Sequence, residues 1–125
     1  MVDTRSQPLD VPKPPEAMNP AIIHHMVQDC ANIFGLTPEA VVSKSRIRAC
    51  CIARAIIADI GYNEFMFTYQ SIGKILNRDH ATLISGIAAF KNDARMLPEL
   101  LAYRKQVFNN AKEYLQSIRE PYICD

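Results

Sequence analysis

The chain lacks several features that would assign it to a common class of protein. No apolar run approaches the roughly 20 residues that a membrane-spanning helix needs, and the N-terminus shows no charged-then-apolar secretion signal. The phosphate-binding loop G-x-x-x-x-G-K-[ST] is also absent. We therefore expect a cytoplasmic protein that does not associate with membranes and binds no nucleotide.

Metal and redox motifs are missing as well. No C-x-x-C pair occurs among the four cysteines, which are Cys30, Cys50, Cys51 and Cys124. Because Cys50 and Cys51 are adjacent, on a helix they diverge by about 100°, and we interpret the cysteines as small buried hydrophobes in a reducing compartment. His24 and His25 are adjacent rather than four residues apart, so we expect solvent-exposed polar residues, no metal site and no other cofactor.

Length and composition indicate one globular domain. A chain of 125 residues with 49% hydrophobic residues can bury a single core. Residues 1–18 hold four of the eight prolines, which predicts a flexible or extended arm of unknown role. We expect the folded domain at 19–119 and a short tail at 120–125.

Apolar residues recur at helical rather than alternating spacing, which predicts an all-α fold, a compact helical bundle. Asn19-Pro20 is typical of a helix start, and that helix should end at Gly35. One helical turn should follow Thr37-Pro38. A central helix is predicted from Ala49 to Ile60, stopped by Gly61 with Asn63, and a last helix from Pro98 to about Ser117.

Charge is distributed unevenly along the chain. The net charge is only +1, yet residues 43–54, SKSRIRACCIAR, contain four basic residues and no acid, whereas the other 113 residues carry ten basic and thirteen acidic side chains. Such a concentration is the electrostatic footprint of a phosphate-binding edge. A solvated basic face is the alternative.

Residues 68–91, TYQSIGKILNRDHATLISGIAAFK, predict two helices joined by a tight turn. Thr68 and Asp79 suit the two N-caps, and Asn77 tolerates the left-handed conformation that ends a helix. Ile72, Ile75 and Leu76 form the apolar face of the first helix, and Gly73 lies on its inner side, where the absence of a Cβ should let another helix come close. The second helix should run to about Met96, and its predicted apolar stripe is Leu83, Ile84, Ile87 and Ala88.

The first turn of the second helix shows the solvent a guanidinium, an imidazole, a methyl group and two hydroxyls, from Arg78, His80, Ala81, Thr82 and Ser85. These groups can read base edges in a major groove, and the arrangement is typical of a DNA-binding helix-turn-helix. Similar patterns also arise by chance in helical proteins, where the two helices are only scaffold.

Over about residues 19–111 the chain resembles the C-terminal duplex-DNA-binding domain of the bacterial chromosomal replication initiator DnaA. The segment RDHATL at 78–83 resembles the R-D-H-[ST]-T-V signature of that family, and Ile72-Gly73-Lys74 resembles its I-G-K pattern. Ile52-Ala53-Arg54 resembles the start of its A-R-Q-I-A segment. The resemblance implies a similar helical fold and double-stranded DNA as partner, with protein partners left open.

The resemblance also implies roles for individual residues. Major-groove base contacts would come from the signature residues Arg78, Asp79, His80, Ala81 and Thr82. A loop arginine would enter the minor groove, with Arg48 the best match and Arg46 next. Phosphate contacts would come from Lys44, Ser45, Thr68, Gln70 and Lys74.

This chain departs from the family pattern at several positions. Ala81 stands where Ser or Thr is usual, Asn77 replaces a two-glycine turn, and Gln70-Ser71 replaces Pro-Glu, whose proline contacts DNA in the family. These changes imply an altered sequence preference. Since no ATPase module is present in the sequence, we expect a stand-alone reader of DNA.

Two functional hypotheses follow. The first is sequence-specific binding of double-stranded DNA, in replication initiation or its control. The alternative is a helical protein-interaction adaptor or transcriptional regulator that uses the same scaffold. We do not expect an enzyme, because Asp79 and His80 are neighbours that diverge on a helix and no oxyanion-forming glycine turn accompanies them.

Overall fold

A computed structural model describes residues 19–123 of the chain, with side chains described to Ile118. The predicted arm at 1–18, the end of the predicted tail and Cys124 lie outside the described residues. The described part contains six helices and no strand, which confirms the all-α prediction: α1 Ala21–Phe34, α2 Pro38–Val41, α3 Arg48–Asn63, α4 Tyr69–Leu76, α5 His80–Met96 and α6 Glu99–Ile123.

Helix α3 is the centre of the bundle and contacts all five other helices. Its buried side carries Ala53, Ile56, Ile57 and Ile60, as the spacing predicted. However, the helix does not stop at Gly61 but continues to Asn63. A Cβ on Gly61 would lie 3.0 Å from Ile72 Cδ1 and 3.1 Å from Ile23 Cδ1, so this glycine permits close packing of α3 with α4 and α1 rather than ending a helix.

The first and last helices lie against each other and close one side of the bundle. Helix α1 begins one residue later than predicted, with the Asn19 side chain accepting a hydrogen bond from the Ala21 N–H (3.0 Å), and it ends at Gly35 with φ 69°. Helix α6 runs to Ile123, beyond the predicted end near Ser117. The prediction of two exposed histidines is wrong for His25, because its ring stacks on Tyr114 of α6 with centroids 4.4 Å apart.

The predicted apolar stripe of α5 is only half correct. Leu83 and Ile87 are buried, but Ile84 is 46% exposed and Ala88 is also exposed. Phe90 and Ala94 take their place in the core. Only one narrow edge of α5 touches the bundle, since the helix lies on the surface of α3 and leaves its other sides in solvent.

The turn between α4 and α5 depends on a close backbone approach. Asn77 ends α4 in the left-handed region, with φ 61° and ψ 44°, and the Arg78 N–H donates to the Gly73 carbonyl (2.9 Å). A Cβ built on Gly73 would collide with the carbonyl oxygen of Arg78. Position 73 therefore requires glycine because of the returning chain, and not because of a neighbouring helix as the sequence suggested.

Two glycine substitutions test this account of the turn. Gly73→Ala should destabilise the protein by about 1–3 kcal/mol, as overpacking against a fixed backbone does. Gly86→Ala on α5 is the matched control: a Cβ there meets nothing within 4 Å, so the change should stabilise by up to about 1 kcal/mol through helix propensity. Urea denaturation measures both, and equal stabilisation by the two variants would contradict the proposed collision.

Candidate nucleic-acid interface

The first turn of α5 projects into solvent. His80, Ala81 and Thr82 are exposed, and Asp79 caps the helix by accepting from the Thr82 N–H at 2.8 Å. Hydrogen bonds from the Thr82 hydroxyl and N–H hold the pKa of Asp79 below its ordinary value. One oxygen of Asp79 is thus engaged in the helix cap, while the side chains of His80, Ala81 and Thr82 stay exposed to solvent.

The basic segment before α3 forms a loop whose backbone is held from inside. Arg54 is buried, and its guanidinium donates to the carbonyls of Val41 (2.6 Å), Ser43 (2.8 Å) and Ala40 (3.4 Å). Although Arg54 was counted among the four charges of the basic segment, it is therefore not an exposed phosphate ligand. Burial lowers the pKa of Arg54 from its very high ordinary value, and an arginine remains charged in proteins.

This loop lies directly against the turn between α4 and α5. The Lys44 ammonium donates to the Asn77 carbonyl (3.2 Å), and the Arg78 guanidinium donates to the Ser45 carbonyl (3.4 Å). Residues 33 positions apart in the chain are thereby brought together. The basic loop and the turn that opens α5, which we call the recognition turn, form one surface.

A cleft of about 750 Å³ separates the loop from α5. Four cationic residues line it, Lys44, Arg46, Arg54 and Arg78, together with Thr82 and an apolar floor that includes Leu83. No acidic residue lines the cleft. We call this the cationic cleft; its charge and its position between loop and helix suit one strand of a nucleic acid backbone.

Arg48 lies outside the cationic cleft. It is the first residue of α3, and its Nη2 lies 3.3 Å from Oδ2 of Asp93, near the far end of α5. Both side chains are exposed, so the ion pair contributes little to stability. Of the two loop arginines considered from the sequence, Arg46 is the one that shares a cleft with Arg78 and Thr82.

The surface continues past the turn towards the start of α4. A depression of about 630 Å³ is lined by Lys44, Gln70, Lys74, Arg78, Asp79 and His80. Beside it lies a second depression of about 660 Å³, which we call the neutral depression. It is lined by Tyr62, Asn63, Met66, Phe67, Thr68, Tyr69, Gln70 and His80.

Sequence reasoning missed most of the neutral depression. Tyr62 and Tyr69 stack with centroids 4.0 Å apart and planes 3° apart, and Met66 is 71% exposed with φ 67°. In the sequence, residues 62–67 show only three aromatics and a methionine between the predicted end of the central helix and the Thr68 cap, and periodicity cannot orient such a short segment. The interpretation of the cysteines also needs one correction, since Cys30 and Cys50 are buried but Cys51 is exposed at the cationic cleft.

Residues 19–123 contain neither a metal-ligand cluster nor a membrane-spanning helix. No group of three or more histidine, cysteine or acidic side chains in this range could hold a metal ion. None of the helices that the structure describes is both long and apolar enough to cross a bilayer.

Comparison with known proteins finds similarity to bacterial initiators over about half of the chain. It is 31% identical over 64 residues to the chromosomal replication initiator protein DnaA 1 of Chlamydia trachomatis, and 30% identical over 64 residues to DnaA 2 of Chlamydia caviae. DnaA 2 of Protochlamydia amoebophila is 23% identical over 66 residues. These matches cover 51–53% of this chain but only 14–15% of the initiators. No family model and no solved structure matches the chain.

The role of Arg54 can be tested by conservative replacement. Arg54→Lys should lower the free energy of unfolding by about 2–3 kcal/mol, because an ammonium cannot reach the carbonyls that the planar fork binds, and buried acceptors lose their donors. Hydrogen exchange at the backbone amides of residues 43–47 should also become faster in this variant. Full stability and unchanged exchange in the lysine variant would contradict this role.

The Asp79 cap predicts a pH dependence. Because folding lowers the pKa of this carboxyl, its stabilisation is fully present above the unfolded pKa of about 3.9 and is lost as the pH falls through the folded value. Asp79→Asn keeps a capping oxygen without the charge. The wild type should therefore be the more stable of the two near neutral pH, and denaturant titrations should show this advantage disappearing on acidification.

Proposed function

We propose that this chain, which is DnaA-like over about half of its length, binds double-stranded DNA in a sequence-specific manner. In this proposal the first turn of α5 enters the major groove, and the loop at 43–47 follows the adjacent backbone into the minor groove. The process served would be replication initiation or its control, since the similar proteins are named chromosomal replication initiators. No catalytic role is proposed.

The observation that carries the proposal is the cationic cleft between the loop and the recognition turn. Lys44, Arg46 and Arg78 come from two distant parts of the chain, yet all three line one cleft without an acid among them. A protein-interaction adaptor has no physical reason to collect these charges beside an exposed polar helix turn. If the first turn of α5 lies in the major groove and the loop lies in the minor groove, the phosphate backbone between them needs these positive charges.

Roles are assigned by position around the cleft. His80, Ala81 and Thr82 are the base-reading residues, with Arg78 beside them; the Ala81 methyl suits contact with a thymine methyl. Asp79 acts first as the helix cap and has one oxygen left for a base amino group. Phosphate contacts come from Lys44, Ser45, Lys74, Thr68 and Gln70.

The loop arginine is assigned to Arg46 rather than Arg48. Arg46 lines the cationic cleft together with Thr82 of α5. Arg48, by contrast, is paired with Asp93 near the far end of α5. An arginine in a narrow minor groove recognises A·T-rich geometry. In this proposal Arg48 contacts the DNA backbone along the same strand.

The test begins with selection of bound duplexes from a random pool, which should recover one motif. On that motif, His80→Ala should weaken specific binding by roughly 5- to 100-fold, the range for one base contact, and leave non-specific binding nearly unchanged. Arg46→Met should weaken binding and reduce the slope of log K against log salt by about one.

A charge-matched control is available on α6. Lys105→Met removes one exposed positive charge from a residue that lines none of the three surface depressions, so it should leave both affinity and salt slope close to wild type. If Arg46→Met behaves like Lys105→Met, the loop assignment is wrong. If no motif emerges from the pool, sequence-specific recognition is wrong.

A further inference from the structure

The neutral depression adjoins the surface assigned to DNA but differs from it chemically. Gln70 and His80 line both the neutral depression and the adjoining depression that also holds Lys44 and Lys74. The two depressions therefore form one continuous face. The adjoining depression is lined by three cationic residues, Lys44, Lys74 and Arg78, and by the capping residue Asp79, whereas no Lys, Arg, Asp or Glu lines the neutral depression.

Two nearby carboxylates, Asp59 and Glu64, are paired with one arginine. Arg104 of α6 binds Asp59 at 2.7 Å and Glu64 at 3.3 Å, and the Asn63 amide donates to Asp59 at 2.6 Å. Asp59 is also buried. A phosphate approaching the neutral depression therefore meets paired acids and not free ones.

The groups that remain exposed suit a sugar–phosphate backbone. The Tyr62 ring is 44% exposed and is held in place by its stack on Tyr69, and tyrosine hydroxyls are among the neutral donors that bind DNA phosphates. Burial raises the pKa of Tyr69, which keeps its hydroxyl protonated. Met66 offers an apolar side chain of the kind that packs against deoxyribose.

Met66 also carries a conformational cost. Its φ of 67° lies in the left-handed region, which is strained for a non-glycine residue and is concentrated at functional sites. A glycine would fit this backbone without strain. The exposed methionine is thus a side chain kept at a position where stability alone would favour its removal.

We infer that the neutral depression is an extension of the DNA interface, in which the Tyr62 hydroxyl and the Met66 side chain hold the sugar–phosphate backbone that flanks the base pairs read by α5. This rests on the proposed function. It adds affinity without counterion release, since a neutral hydrogen bond displaces no cation from DNA. Binding at this part of the face should consequently be insensitive to salt.

The test uses fluorescent duplexes that carry the motif recovered from the random pool, either trimmed to the motif or extended on both sides. Tyr62→Phe keeps the ring stack and removes only the hydroxyl. It should weaken binding to the extended duplex by roughly three- to tenfold, the range for loss of one solvent-accessible hydrogen bond, with an unchanged salt slope. Binding to the trimmed duplex should be unaffected.

Met66→Gly separates binding from folding. It should raise the thermal midpoint, because the strained φ is relieved, and yet weaken binding to the extended duplex. Lys74→Met is the charged comparison from the adjoining depression; it should weaken binding to both duplexes and lower the salt slope by about one.

The outcomes distinguish the two proposals. If Tyr62→Phe and Met66→Gly bind the extended duplex like wild type while Lys74→Met is weakened, the neutral extension is wrong and the proposed function stands. Equal losses on both duplexes would overturn the assignment to flanking DNA. If the wild type binds no duplex preferentially, the proposed function fails and this inference fails with it.

Discussion

The buried Arg54 guanidinium is the interaction on which the candidate interface depends. Its hydrogen bonds to the carbonyls of Ala40, Val41 and Ser43 fix the path of the loop from within the bundle. The same path brings Lys44 to the Asn77 carbonyl. The three carbonyl oxygens supply the hydrogen bonds that a buried guanidinium needs. Because they are neutral, the positive charge of Arg54 is retained and adds to the charge of the cationic cleft.

A second constraint acts on the opposite wall of the cationic cleft. The turn between α4 and α5 closes only because Gly73 lets the Arg78 carbonyl come close and Asn77 accepts a left-handed backbone. The Asp79 cap then starts α5 at once. The loop and the turn are therefore each held in place by their own contacts, and the Arg78–Ser45 hydrogen bond joins the two. Such preorganisation lowers the entropy cost of binding a long ligand.

Acidic groups around the face are engaged by partners elsewhere. Asp93 is paired with Arg48, and Arg104 binds both Asp59 and Glu64. This arrangement explains how a chain with a net charge of only +1 can present a cleft that no acidic residue lines. Net charge is a poor guide to nucleic acid binding when the two signs are segregated in space.

Near neighbours along the chain suffice to predict the local features of this protein. The Thr68 and Asp79 caps and the left-handed Asn77 involve partners within a few residues, and the buried positions of α3 follow from helical periodicity. Four other features are visible only in the folded chain: the burial of Arg54, the stack of His25 on Tyr114, the pair of Arg48 with Asp93 and the stack of Tyr62 on Tyr69. Periodicity states which residues share a helix face, but the contacts that orient a loop or expose half of an apolar stripe arise between segments far apart in the chain.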